Sequence, residues 1–353
     1  MSYDLNSNLN KSSNSLIDLR SDTVTKPTIG MRKFIADAEV GDDVYGEDPT
    51  INKLEKMLAE RLCKESGILM TSGTQSNLCS VLTHCARGEE VIIGKSYHIF
   101  IDEAAGASVL GGVAMAPIDT GNEEEMIPEN ISKAVKPDDP HCPISKLVCM
   151  ENTVWGNAIA LEKMISAKNE AIKHNLSTHL DGARFFNAVA KLGCSEADLA
   201  NCADTVSICL SKGLGSPAGS LLLLPKDLEV KARRWRKMLG GGMRQAGVIA
   251  AAGIYALENN VNRLKEDQDK AEFLAKELQK FSNGDADQKI VQNTNMVFFT
   301  PELKDSQKLL SFLARKGIII NEPLPSTRMV MHLDISDNDL KYIVNSFDEY
   351  YNQ

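Results

Sequence analysis

The segment Ser211-Lys212-Gly213-Leu214-Gly215 places a lysine directly behind the apolar run Thr205–Leu210, where a charged amine is out of place. Such a lysine can snorkel from a strand end. It can also offer its amine to an aldehyde as an imine, with the glycines beyond it leaving room for a planar ring. His179-Leu180-Asp181-Gly182-Ala183-Arg184 closes another apolar run on a carboxylate. A buried lone carboxylate is costly, so Asp181 either caps a helix or pairs with a cation. A pyridinium nitrogen is such a cation, and an ionised Asp keeps it protonated as an electron sink. In Thr71-Ser72-Gly73-Thr74-Gln75-Ser76-Asn77 a strand end turns into a helix start through a glycine flanked by hydroxyls. Free amides there can be plain caps or an anion seat for a phosphate.

The elements around these residues read as an α/β layer. Apolar runs at Ile68–Met70, Glu90–Ile93, Ala114–Ile118, Lys146–Met150, Thr178–Leu180, Thr205–Cys209 and Ser220–Leu224 alternate with helix spacing at 51–63, 75–86, 127–135, 161–174 and 196–202. Parallel strands need helical crossovers, so a mostly parallel central sheet flanked by helices is expected. A long helix over 244–281 should lead into a small C-terminal α+β domain with strands near Met296–Thr300, 317–320 and 328–333. The boundaries expected are a disordered arm over 1–16, a large domain over 17–260 and a small one over 261–353. At 353 residues, two domains are the better expectation.

The composition is ordinary for a globular chain, 43% hydrophobic and 25% charged, and the net charge of −9 is spread without a basic run. Nucleic acid is therefore not an expected partner. No stretch is long and apolar enough for a membrane span or a signal peptide, so a cytoplasmic protein without membrane contact is expected. Eight scattered cysteines and six histidines form no metal-ligand spacing, and no metal site is expected. G-x-x-x-x-G-K-[ST] and a strand-linked G-x-G-x-x-G are also missing, which removes nucleotide readings.

Taken together, the lysine, the strand-end Asp and the phosphate seat resemble the fold type I, aspartate-aminotransferase-like enzymes that use pyridoxal 5′-phosphate (PLP). Within them, five segments are similar to the low-specificity L-threonine aldolase family, from about residue 17 to the C-terminus: Asp18-Leu19-Arg20-Ser21-Asp22-Thr23-Val24-Thr25, Val40 through Thr50, Asp181-Gly182-Ala183-Arg184, Ser211 through Gly215, and Trp235 through Gln245. The resemblance implies a PLP-dependent transferase-like large domain and retro-aldol cleavage of L-threonine, L-allo-threonine and related β-hydroxy-α-amino acids. It also implies a homo-oligomer, a dimer at least, in the pattern of a tetramer built from dimers that share active sites.

Carried over by position, Lys212 holds the cofactor as a Schiff base, Asp181 faces the ring nitrogen, Arg184 donates to the ring hydroxyl and the substrate carboxylate, and His98 stacks on the ring. Ser72, Gly73, Thr74 and Ser211 fall on phosphate positions. Lys237 and Arg244 match basic residues that reach the phosphate from a neighbouring subunit. Ser21 and Arg328 match groups that hold the substrate carboxylate, a task suited to a bidentate guanidinium. One departure stands out: after Glu151-Asn152-Thr153 the family usually has a histidine at the substrate β-hydroxyl, and this chain has Val154-Trp155-Gly156. His98 or a water must then accept the proton, or the enzyme breaks Cα–H instead, as an alanine racemase does.

Overall fold

The computed structural model describes residues 16–281, 289–302, 305–322 and 325–352; the arm expected over residues 1–16 lies outside them apart from Leu16. Among the described residues the strands are β1 (Ile17–Asp18), β2 (Ser66–Met70), β3 (Glu89–Gly94), β4 (Ala114–Ile118), β5 (Ile144–Glu151), β6 (Ser177–Gly182), β7 (Thr205–Cys209), β8 (Ser220–Leu224), β9 (Ile290–Asn293), β10 (Met296–Phe299), β11 (Ile318–Ile319) and β12 (Thr327–Val330). Two compact units are formed: Thr25–Lys265, and the segment through Val24 together with Glu266 onward. No helix among the described residues is long and apolar enough to cross a membrane.

The Thr25–Lys265 unit is built on a seven-stranded sheet ordered β2-β8-β7-β6-β5-β3-β4. β8 runs antiparallel to both β2 and β7, and the other pairings are parallel. It follows that β2, β7, β6, β5 and β3 all end at the same edge. β2, β7 and β8 are buried at every position, which is why they read as continuous apolar runs rather than alternating ones. Leu54, Leu58, Val91, Val148, Leu180 and Ile208 are among the residues of the surrounding core. Gly182 permits the close approach of β6 to β7, because a Cβ there would stand 2.6 Å from the Ser207 carbonyl oxygen.

The continuous helix expected over 244–281 is two helices, Gly247–Asn259 and Leu264–Leu278. Asn260 ends the first one: buried, it turns its amide to the Leu214 carbonyl at 2.7 Å, a side-chain bond that competes with helix continuation.

In the other unit β9, β10 and β12 form an antiparallel sheet, and β9 is a strand that the sequence reading left out. Residues 17–24, expected in the large domain, belong here instead. β1 pairs in parallel with β11, and Ile17 and Leu19 join Leu274, Phe299, Met329 and Phe347 in one core. The helix Asp337–Tyr351 opens on a capping box between Ser336 and Asp339.

Candidate active site

The shared edge of β2, β7, β6, β5 and β3 collects the predicted chemistry of the large unit. Open α/β sheets bind ligands beyond the carboxyl ends of their strands, and five chain segments with polar residues meet that condition here. Behind β2 the helix Gly73–His84 starts, with Ser72 as N-cap accepting the Gln75 N–H at 3.2 Å. That cap leaves the amides of Gly73 and Thr74 without a protein acceptor among the described residues, as the first turn of a helix requires. A Cβ on Gly73 would meet only Ser220 Oγ at 3.7 Å and Cys209 Sγ at 4.0 Å. The protein itself does not demand a glycine there, so the bare backbone keeps space open for something else.

Behind β7, Lys212 lines a small pocket with Ala183, Arg184, Cys209 and Gly213. No hydrogen bond or ion pair holds its amine among the described residues. The neighbouring Ser211 hydroxyl lies 3.4 Å from Cys209 Sγ. On β6, in register with Glu151 of β5 and Ser207 of β7, Asp181 is buried. Its two oxygens accept from the Asn77 amide at 2.8 Å and the Ala183 N–H at 3.0 Å, and a carboxylate has lone pairs for more. Arg184 is the N-cap of the helix Phe185–Leu192 that follows.

His98 opens a short helix after β3, and its backbone N–H donates to Glu151 Oε2 at 2.7 Å. Its ring Nδ1 lies 3.1 Å from Glu103 Oε1. That bond to Glu103, above all, raises the His98 pKa, with Asp181 adding to it and burial opposing. Burial also raises the pKa of Glu103, and burial with the nearby Asp181 raises that of Glu151. The arrangement that satisfies both partners is His98 protonated at Nδ1 and donating to Glu103, with Nε2 left to act.

Glu103, Glu151, Asn77 and His179 were not among the sequence candidates. Ligand-type atoms of His98, Glu103 and Asp181 lie within 4.8 Å of one another, a grouping that linear spacing hides. Asn77 accounts for the two carboxylates, since its one amide nitrogen stands 2.8 Å from each.

A beta-eliminating lyase family model matches residues 18–302. This chain belongs to that family. The low specificity L-threonine aldolase of Escherichia coli (strain K12) is 44% identical over 325 residues, spanning 92% of this chain and 96% of that relative. A threonine aldolase structure from Leishmania major shares the fold with a TM-score of 0.81 at 19% identity, over 95% of this chain and 99% of that one. An SPT structure containing PLP superposes with a TM-score of 0.72 at 16% identity, over 95% and 87% of the two chains. The protein is thus a lyase of a PLP-using family.

For this lyase the fit to PLP rests on the residues just described. Uncommitted helix amides suit a phosphate, the unpaired Lys212 amine suits an aldehyde, and the buried Asp181 carboxylate suits a ring cation. The other predicted residues have these surroundings. Arg244 is exposed and paired with Asp42 at 3.0 Å, and exposed Lys237 runs its aliphatic stem beside Gly242. Ser21 and Arg328 belong to the other unit. There Arg328 Nη2 donates to the Arg20 carbonyl at 3.2 Å and Ser21 Oγ accepts the Thr23 N–H at 3.2 Å, so residues far apart in sequence become neighbours. Val154, where the resemblance leads one to expect a histidine, is fully buried in the apolar core, whereas Trp155 is 45% exposed.

Proposed function

We propose that this lyase uses PLP carried on Lys212 to split L-threonine, L-allo-threonine and related β-hydroxy-α-amino acids into glycine and an aldehyde. The observation that carries the reading is 44% identity to the Escherichia coli aldolase over nearly the whole of both chains, in a chain that has Lys212, Asp181, Arg184 and His98. PLP, when bound, supplies the sink for the electron pair released from the Cα–Cβ bond. Lys212 would hold the cofactor through its amine. Asp181, oriented by Asn77 and the Ala183 N–H, holds a proton at the ring nitrogen.

Ser72, Gly73, Thr74 and Ser211 donate to the phosphate. Lys237 and Arg244 do so from a second copy, which makes a homo-oligomer the working form. Arg184 serves the ring hydroxyl and, with Ser21 and Arg328, the substrate carboxylate, each charge-assisted bond contributing about 1.5–3 kcal/mol. His98 would stack on the cofactor ring, and its Nε2 takes the β-hydroxyl proton, the task that buried Val154 cannot perform. That burial also keeps the racemase reading open, because an enzyme that breaks Cα–H needs no hydroxyl-binding group.

The test is a substrate panel of β-hydroxy amino acids and alanine that reports glycine, aldehyde and chirality together. Aldehyde and glycine in equal amounts from L-threonine, lost in Lys212→Ala, are expected. Absence of aldehyde from every β-hydroxy amino acid overturns the retro-aldol reading. Solvent deuterium at Cα of alanine with loss of chirality replaces it with racemisation.

A further inference from the structure

Behind Asp181 lies a buried polar seam of which the proposed reaction uses only Asn77. Asn77, Ser80 and His84 are spaced three and four apart along the helix Gly73–His84, so they share one face. His179 and Asp181 are two apart on β6 and share a sheet face. The two stripes meet: His179 Nε2 lies 3.1 Å from Asn77 Oδ1, and His179 Nδ1 lies 2.9 Å from Ser80 Oγ and 3.0 Å from Thr205 Oγ1. His84 Nε2 reaches the same Thr205 hydroxyl at 3.1 Å. Asn77, Ser80, His179 and Thr205 are all buried.

The donor directions in this seam are forced. Asn77 must turn its NH2 toward Asp181 and Glu103, because the opposite flip would set its oxygen against two carboxylates. Its Oδ1 therefore faces His179 and needs an N–H from Nε2. Burial pushes the His179 pKa down to about 4, so the ring is neutral and carries one proton. That proton sits on Nε2, and Nδ1 accepts from a hydroxyl.

We propose that His179 is a positioning residue: as its Nε2–H tautomer it locks the Asn77 amide, and Asn77 in turn fixes the two carboxylates on which the cofactor nitrogen and His98 depend. The role toward the cofactor nitrogen rests on PLP binding as proposed above; the tautomer and the link to His98 do not. The seam differs from an ordinary core filler in that the donor, and not the ring volume, is what matters. His179→Gln keeps an N–H donor, whereas His179→Phe keeps the volume and removes the donor.

Nitrogen NMR of the cofactor-free wild-type protein between about pH 5 and 9 should find His179 protonated at Nε2 and bare at Nδ1 throughout. The His98 titration midpoint should shift in His179→Phe and recover in His179→Gln. PLP affinity, read by equilibrium dialysis, should fall tenfold or more in His179→Phe and return to within threefold in His179→Gln. Asn77→Ser, which breaks the link without touching the imidazole, should show the same His98 shift and the same loss of PLP affinity, and it decides the matter if His179→Phe does not fold. A proton on His179 Nδ1, an unmoved His98 midpoint in the folded donor-free variants, or equal losses in the Gln and Phe variants overturn the proposal. Failure of the wild type to bind PLP overturns the cofactor reading alone and leaves the NMR outcome to decide the seam.

Discussion

Glu103→Gln isolates the charge that acts on His98 while keeping the side chain's size. Among the described residues only Glu103 Oε1 is engaged, with His98 Nδ1 at 3.1 Å and Asn77 at 2.8 Å, so a glutamine can leave its oxygen there and turn its NH2 to the other oxygen's place. A hydrogen bond to a charged group contributes about 1.5–3 kcal/mol and a neutral one about 0.5–1.5 kcal/mol. The difference, about 1–1.5 kcal/mol, corresponds to about one pH unit at 1.36 kcal/mol per unit. The His98 side chain is 40% exposed, which screens the charge and cuts the expected shift to about half a unit. The sign follows from the chemistry. A base must be neutral to accept a proton, so a raised His98 pKa puts the acid limb of kcat/KM above the ordinary imidazole range. Losing the Glu103 charge lowers that pKa, and the limb moves toward lower pH. Nearby Asp181 still favours the imidazolium, which keeps the shift partial. Aldehyde release from L-threonine, followed across about pH 5 to 9 in both proteins, measures it. An acid limb that stays put, or moves upward, refutes the assignment of His98 as the base oriented by Glu103.

Gly182→Ala forces a Cβ to 2.6 Å from the Ser207 carbonyl, so it should destabilise the protein by about 1–3 kcal/mol and weaken PLP binding by displacing Asp181 next to it; an unchanged melting temperature contradicts this. Val154→His introduces the residue type that the resemblance led one to expect but puts a larger polar ring in a fully buried apolar site. It should lower the melting temperature, with about 1–3 kcal/mol lost to an unpaired polar atom, and leave aldehyde release no faster. Faster release from an equally stable Val154→His protein would mean that this position faces the substrate after all.

Lys212, Asp181 and the Gly73 turn could be read from the sequence because each breaks a local rule. A lysine behind an apolar strand, a carboxylate at a strand end and a glycine at a helix start are all visible in a window of a few residues. The central sheet was legible for a related reason: β2, β7 and β8 are buried throughout, so their segments show no polar face, while the antiparallel sense of β8 left no mark in the sequence. Where only distant pairing decides, the reading failed. β1 has two residues and joins the C-terminal unit solely because Ile318 and Ile319 lie beside it. The break at Asn260 depends on a carbonyl at Leu214, far off in sequence.

The residues missed at the site share a different cause. Asn77 sits inside a motif already explained as a phosphate seat, and His179 inside one already explained by Asp181, so neither left an anomaly to account for. Their importance comes from two periodicities meeting in space, a helix stripe of Asn77, Ser80 and His84 against a strand stripe of His179 and Asp181. A polar stripe on a helix that is buried on most of its surface is itself a signal, because each buried donor and acceptor must find a partner. Asn77 and Ser80 are both buried in Gly73–His84 and take their side-chain partners from outside the helix, whereas Thr83 bonds the Cys79 carbonyl within it. Matching those two to the equally out-of-place His179 and Thr205 on neighbouring strands β6 and β7 would have placed the helix over Asp181 from sequence alone.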